Sequence, residues 1–272
     1  MIVIGIDLGF SEKSKTSAFC KLEAKNNRIE VITIPTKFIF NQYETIFNKE
    51  LISDVNLISI DAPLTSKKIL AKPKSGRKID KLFSGDIFTN SKKGPQPGSI
   101  STPKQGWPLY EVGMIYKEYF ENQNFTYIDC KDKLIKDKVI LEVIPKLTQA
   151  LTNQREFLVS RKKGSKIDNI LFPHTFSASS KFRQNFGQVE YSLELEQLIE
   201  LYKSNTKKYH EELAAIIAAL QAVLYGLNKY TIVGFIGEYE GNYLLPSYDF
   251  WDLEWKDAFK RRVKKYEDVV FL

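Results

Sequence analysis

Two stretches of the chain, Ile2 to Gly9 (IVIGIDLG) and Leu57 to Asp61 (LISID), are apolar at successive rather than alternate positions. That pattern suits strands covered on both faces, and in each the first charge is an aspartate at the carboxyl end. A third stretch of the same kind, Lys138 to Ile144, carries Glu142 before Pro145. Between the first two, Thr16 to Glu23 and Arg28 to Pro35 read as strands joined through the polar turn Lys25-Asn26-Asn27. Helical spacing of apolar residues predicts helices over Asn41 to Ser53 and Tyr110 to Phe120 and a mixed, largely helical region over 146–209. The strongest helix is Glu211 to Leu227, where Leu213, Ile216, Ile217, Leu220 and Leu224 form one face and alanines fill much of the rest. Two short strands, Ile232 to Ile236 and Tyr243 to Leu245, come before a charged aromatic tail.

The order β-β-β-α-β-α-β-α is that of an RNase H fold. The expectation is an α/β protein with an RNase-H-like mixed five-stranded sheet, three antiparallel strands and then parallel ones, flanked by helices. We expect one domain over 1–272, with a basic insertion at 64–106 and a C-terminal extension at 247–272.

In that fold the first, fourth and fifth strands lie side by side, about 4.8 Å apart. Asp7, Asp61 and Glu142 would then line one rim. Two divalent ions about 3.5 to 4 Å apart in such a rim hold the attacking and leaving oxygens of a phosphodiester displacement, and no histidine base is needed. Mg2+ or Mn2+, two ions in all, suit carboxylate and water ligands. A fourth acid would come from the start of the last helix, where Glu211 and Glu212 both stand; spacing alone does not choose between them, and both also read as ordinary first-turn glutamates.

Composition narrows the picture further. Apolar residues make up 43% of the 272 and charged residues 27%, as in ordinary globular proteins, and the apolar run at the start is too short for a signal or membrane helix. The chain therefore reads as cytoplasmic, without a membrane partner. Two cysteines without a CxxC and only two histidines, His174 and His210, exclude a thiolate or histidine metal site, so any metal is held by oxygen. The net charge of +7 favours a nucleic-acid partner, DNA or RNA. Residues 64–106 concentrate it, with ten Lys or Arg against two Asp. Lys67, Lys68, Arg77, Lys78 and Lys104 are candidate phosphate contacts, and Trp107, with Phe83 and Phe88, a candidate base-stacking surface. Arg77 and Asp80 equally fit an ion pair within one helical turn. The run Arg161 to Lys166 reads as a solvated loop more readily than as a second phosphate contact.

Ile60-Asp61-Ala62-Pro63-Leu64, Arg77-x-x-Asp80, Glu142-Val-Ile-Pro145 and an alanine-rich helix followed by Gly237-Glu-Tyr-Glu-Gly241 together resemble the predicted RNase-H-like nucleases catalogued as domain of unknown function 429. The resemblance runs from the first strand to about Pro246. It implies a nuclease-type acidic site with Asp7, Asp61, Glu142 and Glu211 as catalytic acids and metal ligands, Glu212 being a further ligand candidate. The family, like the Holliday-junction resolvases that it resembles, has Asp-x-x-Asp-Ala at the start of the helix. Here the matching residues are Glu211-Glu-Leu-Ala214-Ala215, so the second acid is absent. A nonhydrolytic nucleic-acid-binding protein is the alternative that this departure favours. A third reading, an ATP-binding protein of the actin-like or sugar-kinase type, draws on the same Ile-Gly-Ile-Asp-Leu-Gly stretch but lacks a second phosphate loop and an adenosine motif.

Overall fold

The structure, a computed structural model, describes residues 1–83, 100–128, 137–152 and 174–272. Its centre is a seven-stranded mixed sheet. Strands β1 (Ile2–Asp7), β2 (Ser17–Lys25) and β3 (Arg28–Phe38) form an antiparallel meander, while β4 (Leu57–Asp61) runs parallel to β1 and β6 (Val139–Glu142) parallel to β4. Two-residue strands β5 (Thr126–Tyr127) and β7 (Glu190–Tyr191) extend the edges, giving the order β5-β6-β4-β1-β2-β3-β7. The five expected strands are thus present in order. The extra two are too short to leave a periodic signature.

The meander closes on Asn26 and Asn27, both at positive φ (51° and 58°). Two consecutive left-handed residues make the hairpin turn whose twist matches that of the strands, and asparagine tolerates it better than most residues. The expected helix over Asn41 to Ser53 is broken instead into a 3-10 turn, Phe40–Gln42, and two single-turn helices, α1 (Tyr43–Ile46) and α2 (Lys49–Ile52). Asn48 interrupts it, because its side chain accepts from the Leu51 N–H and caps the second piece.

Alternation along the strands sends side chains to two different cores. Ile4, Ile6, Ile58, Ile60 and Ile140 meet α4 (Gly106–Glu121) on one face, together with Tyr110, Met114 and Phe120. Val3, Leu57, Val139 and Leu141 meet α8 (His210–Gly226) on the other. Every residue of α8 from Glu212 to Tyr225 is buried, since α7 (Leu193–Lys203) and a second sheet enclose it from outside. Its alanine face turns to β1. A Cβ on Gly5 would lie 2.1 Å from the Ala219 nitrogen and 2.3 Å from the Ala215 carbonyl oxygen, so helix and strand touch backbone to backbone there.

The second sheet has the order β10-β8-β9, from β8 (Tyr230–Phe235), β9 (Asn242–Pro246) and β10 (Val269–Phe271), and joins the first through the bridge Val143–Leu244. With α9 (Leu253–Val263) it builds a third core around Tyr243, Trp251, Trp255 and Phe259. The aromatic tail is therefore largely a packing element, although Tyr239 stays exposed. Among the described residues no helix is long and apolar enough to cross a membrane.

The Gly5 contact generates a prediction. Gly5→Ala forces α8 away from β1, and because the obstruction is backbone no rotamer relieves it. Overpacking of this kind costs about 1 to 3 kcal/mol, the upper end being expected where the obstruction is backbone, to be read as a lower urea midpoint at unchanged slope; a loss below about 1 kcal/mol would mean that helix and strand are less tightly seated.

A candidate active site at the strand ends

The in-register pairing of β1 with β4 sets Asp7 opposite Asp61. Laterally paired residues of neighbouring strands point to the same face, so both carboxyls emerge on the α8 side, at the carboxyl ends of their strands. They are close enough to share a hydrogen bond. Burial, then the charge of Asp61 and a hydrogen bond with it, push the Asp7 carboxyl well above the ordinary carboxylate range. Burial lifts Asp61 to about 6. The two carboxyls lie in a cavity of about 270 Å3 whose walls include Phe10, Leu109, Ile144, Lys146, His210 and Ala214. Lys146, at the start of α5 (Pro145–Thr152), acts electrostatically on both aspartates and draws their pKa values down.

Glu142 lines the same cavity, but it does not stand in one row with the two aspartates. It pairs with Ile60 rather than Asp61, so it stands on the opposite face of the sheet and reaches the cavity's edge from the other side. There it is held by Arg77. The guanidinium Nη1 and Nη2 donate to Glu142 at 2.9 and 2.7 Å, Nη2 and Nε donate to Asp80 at 2.7 and 3.2 Å, and Nη1 also donates to the Leu64 carbonyl at 2.6 Å. The Leu64 N–H donates to Glu142 at 3.0 Å and the Tyr243 hydroxyl donates to Asp80. Gly241 covers the pair: a Cβ there would sit 2.2 Å from Nη1. Burial pushes Glu142 up to about 7 against the pull of Arg77.

Arg77, one of the candidate phosphate contacts, lines the cavity from within this network. Its side chain is 1% exposed and its donors are taken by two carboxylates, so the ion pair with Asp80 is what the structure contains. Three other candidate phosphate contacts are paired with acids from distant segments: Lys67 with Glu238 at 2.6 Å, Lys68 with Glu118 at 3.3 Å, and Lys78 with Asp268. Lys104 is exposed, and half-buried Trp107 lies against Tyr110 with ring centroids 5.3 Å apart. Phe83 is buried and stacked on Phe259 rather than offered to bases. Phe88, Lys92, Lys93 and the run Arg161 to Lys166 lie outside the described residues.

At the start of α8, Glu211 comes near enough to raise the Asp7 pKa further. It is bound by Lys37 from β3, at 2.9 Å, and the same ammonium lies 3.3 Å from Glu212. Burial holds Glu212 above its ordinary value. Ala214, one turn beyond His210, faces the cavity with a methyl group. Among the described residues no group of three or more acidic, histidine or cysteine side chains forms a metal site. Asp7 and Asp61 remain as two recessed carboxyls side by side, each raised by burial. Lys146 and His210 were not anticipated as site residues. The signals for them were their places, directly after the strand-ending Pro145 and at the first position of the last helix.

Comparison of the chain with protein-family models, with curated proteins and with solved structures finds no match.

Two predictions follow from these two carboxylate environments. Arg77→Ala leaves Glu142 and Asp80 buried without their cation and is expected to lower stability by about 3 to 5 kcal/mol; a urea midpoint near that of the wild type would contradict the network. The aspartate pair makes a pH prediction. Carboxyls whose folded pKa is raised stabilise fully below the unfolded value, near about 4, and that contribution is lost as pH rises through about 6. Asp7→Asn, which keeps the shape and removes the repulsion, should therefore raise stability by about 2 kcal/mol, some 4 °C or more in Tm, at about pH 7.5, and far less at about pH 4.5. Equal shifts at both pH values would show that the carboxyls do not repel.

Proposed function

We propose that the protein is a divalent-cation-dependent phosphodiesterase of nucleic acid with an RNase-H-like fold. The observation that carries the reading is the pair Asp7 and Asp61, side by side on one face at the carboxyl ends of neighbouring parallel strands and beside the start of a buried helix. The strand order β3-β2-β1-β4-β6, with its antiparallel meander and following parallel strands, supports the fold assignment. So does the resemblance of the motifs around Asp61, Arg77, Glu142 and the last helix to the nuclease family named above.

The reading differs from the expectation in the number of ions. With Glu142 committed to Arg77 and Glu211 to Lys37, two carboxylates are left to hold a cation, and one Mg2+ or Mn2+ is the occupant that they suit. When bound, such an ion stabilises charge developing on a phosphoryl oxygen. The chain's own residues do the rest. Asp7 and Asp61, fixed to β1 and β4, set where the phosphate sits. Phe10, Leu109 and Ile144 give the cavity part of an apolar wall. His210 lines the same cavity from the first turn of α8, where the partial positive charge of the helix end favours an anion.

The test is cleavage of branched, hybrid and single-stranded substrates with Mg2+ or Mn2+. Metal-dependent cutting is expected, reduced at least about 100-fold in Asp7→Asn, with one ion bound between Asp7 and Asp61 in a manganese-soaked crystal. Salt-sensitive binding without cutting would instead favour a nonhydrolytic nucleic-acid-binding protein, the alternative that the absent acid at Ala214 supports.

A further inference from the structure

The registers of three strand pairs place Asp61, Asp7, Ala18 and Lys37 in one lateral row across β4, β1, β2 and β3. Residues paired across strands point to the same face, so Lys37 belongs with the two aspartates on the side that meets α8, two strands and about 10 Å from Asp7. The residue between them in the row is small. From this position the Lys37 ammonium reaches the start of α8, where it donates to Glu211 Oε2 at 2.9 Å and to the Lys208 carbonyl at 3.0 Å and lies 3.3 Å from Glu212 Oε2. Three acceptors meet the three protons of an ammonium. Lys37 is engaged within the protein.

Glu211 is the acid that this lysine controls. His210 and Ala214, which flank it in the first turn of α8, both line the cavity that holds Asp7 and Asp61. Glu211 and Ala214 are three residues apart and therefore neighbours on the helix surface, so a short swing separates the Glu211 carboxylate from the cavity. In the structure that carboxylate is 25% exposed and turned to Lys37 instead. The lysine nearest in sequence does not take this role, since the Lys208 ammonium lies 4.8 Å from the centre of the Tyr209 ring. Lys37 with Glu211 and Glu212 amounts to one negative charge, and the two glutamates without it to two. Arg77 with Glu142 and Asp80 adds one more in either case. In a cavity that is already acidic, a further free carboxylate raises the cost of admitting a phosphate.

We propose that Lys37 is a positioning residue of this site: it draws Glu211 away from Asp7 and Asp61, so that the first turn of α8 presents His210 and Ala214, and no free carboxylate, to a phosphate entering the cavity. Lys37 acts through Glu211 and does not touch the phosphate. The tether is a property of the free protein, while its consequence for a phosphate rests on the phosphodiesterase reading.

Two measurements on the full chain test it. The first is a crystal structure of Lys37→Met, in which the Glu211 carboxylate should turn into the cavity beside Asp7; a carboxylate that keeps its place sinks the tether. The second is binding of a labelled short single-stranded DNA, read by fluorescence anisotropy over a range of KCl, in EDTA so that nothing is cut. Lys37→Met should weaken binding about fivefold, and adding Glu211→Gln to that variant should restore both the affinity and the slope of log K against log salt. Were Lys37 itself a phosphate contact, the double variant would stay weak and its slope would fall by roughly 0.7, the amount for one neutralised phosphate on a single strand. That result overturns the proposal, and so does full affinity in Lys37→Met alone. Lys37→Arg keeps the cation and should match the wild type in melting and in binding; a Lys37→Arg protein that folds but binds weakly also counts against the proposal, and this arm holds even where Lys37→Met fails to fold. If the wild type binds no DNA, the nucleic-acid reading fails and the crystal structure alone decides the tether.

Discussion

Two like charges forced into register are the constraint on which the rest of this structure turns. The β1–β4 pairing cannot slip by one residue to separate Asp7 from Asp61, because the slip would turn one of the two strands over. Turning β1 over would bring Ile4 or Ile6 in place of Gly5 against α8, where a Cβ alone would lie 2.1 Å from the Ala219 nitrogen. Close packing thus dictates an unfavourable electrostatic contact. The molecule can relieve it through a proton on Asp7, through the nearby ammonium of Lys146, or through a cation.

The opposite face of the same strand ends shows the contrasting solution. Glu142 meets a guanidinium whose fork is shared with Asp80, and backbone groups of Leu64 complete the set. This network ties together β6, the segment leading from β4 toward α3 (Lys78–Leu82) and, through Tyr243, the second sheet. A buried ion pair is weak evidence of net stability, because desolvation offsets much of the attraction. Its effect here is on placement: it seats the beginning of the basic insertion beside the cavity and withdraws a carboxylate from it. One rim therefore carries an acid paired with a guanidinium on one face and two acids set against each other on the other.

Much of this could be read from the sequence, and the parts that could not share a cause. The meander, β4 and the last helix follow from local patterning, and the two aspartates end apolar runs that had to be central strands. The face on which Glu142 lies is different. A strand buried on both sides shows no alternation of apolar and polar residues, so its register against a parallel neighbour is set by pairing and not by composition. The fate of the lysines was equally hidden, because Lys67, Lys68 and Lys78 find Glu238, Glu118 and Asp268 far along the chain. In α8 the apolar face was visible, but the alanines that meet Gly5 look in sequence like mere filler.

Those alanines bear directly on the chemistry. The contact of Gly5 with Ala215 and Ala219 fixes the distance between β1 and α8, and so fixes how much room exists one turn earlier, where Glu211 and Ala214 flank Asp7 and Asp61. An acid at 214 would enter the cavity and add a third charge to a pair that already holds its protons too tightly. A methyl group there leaves both space and a charge of no more than minus two. Space and charge at this end of the cavity are thus set by the same residue, Ala214.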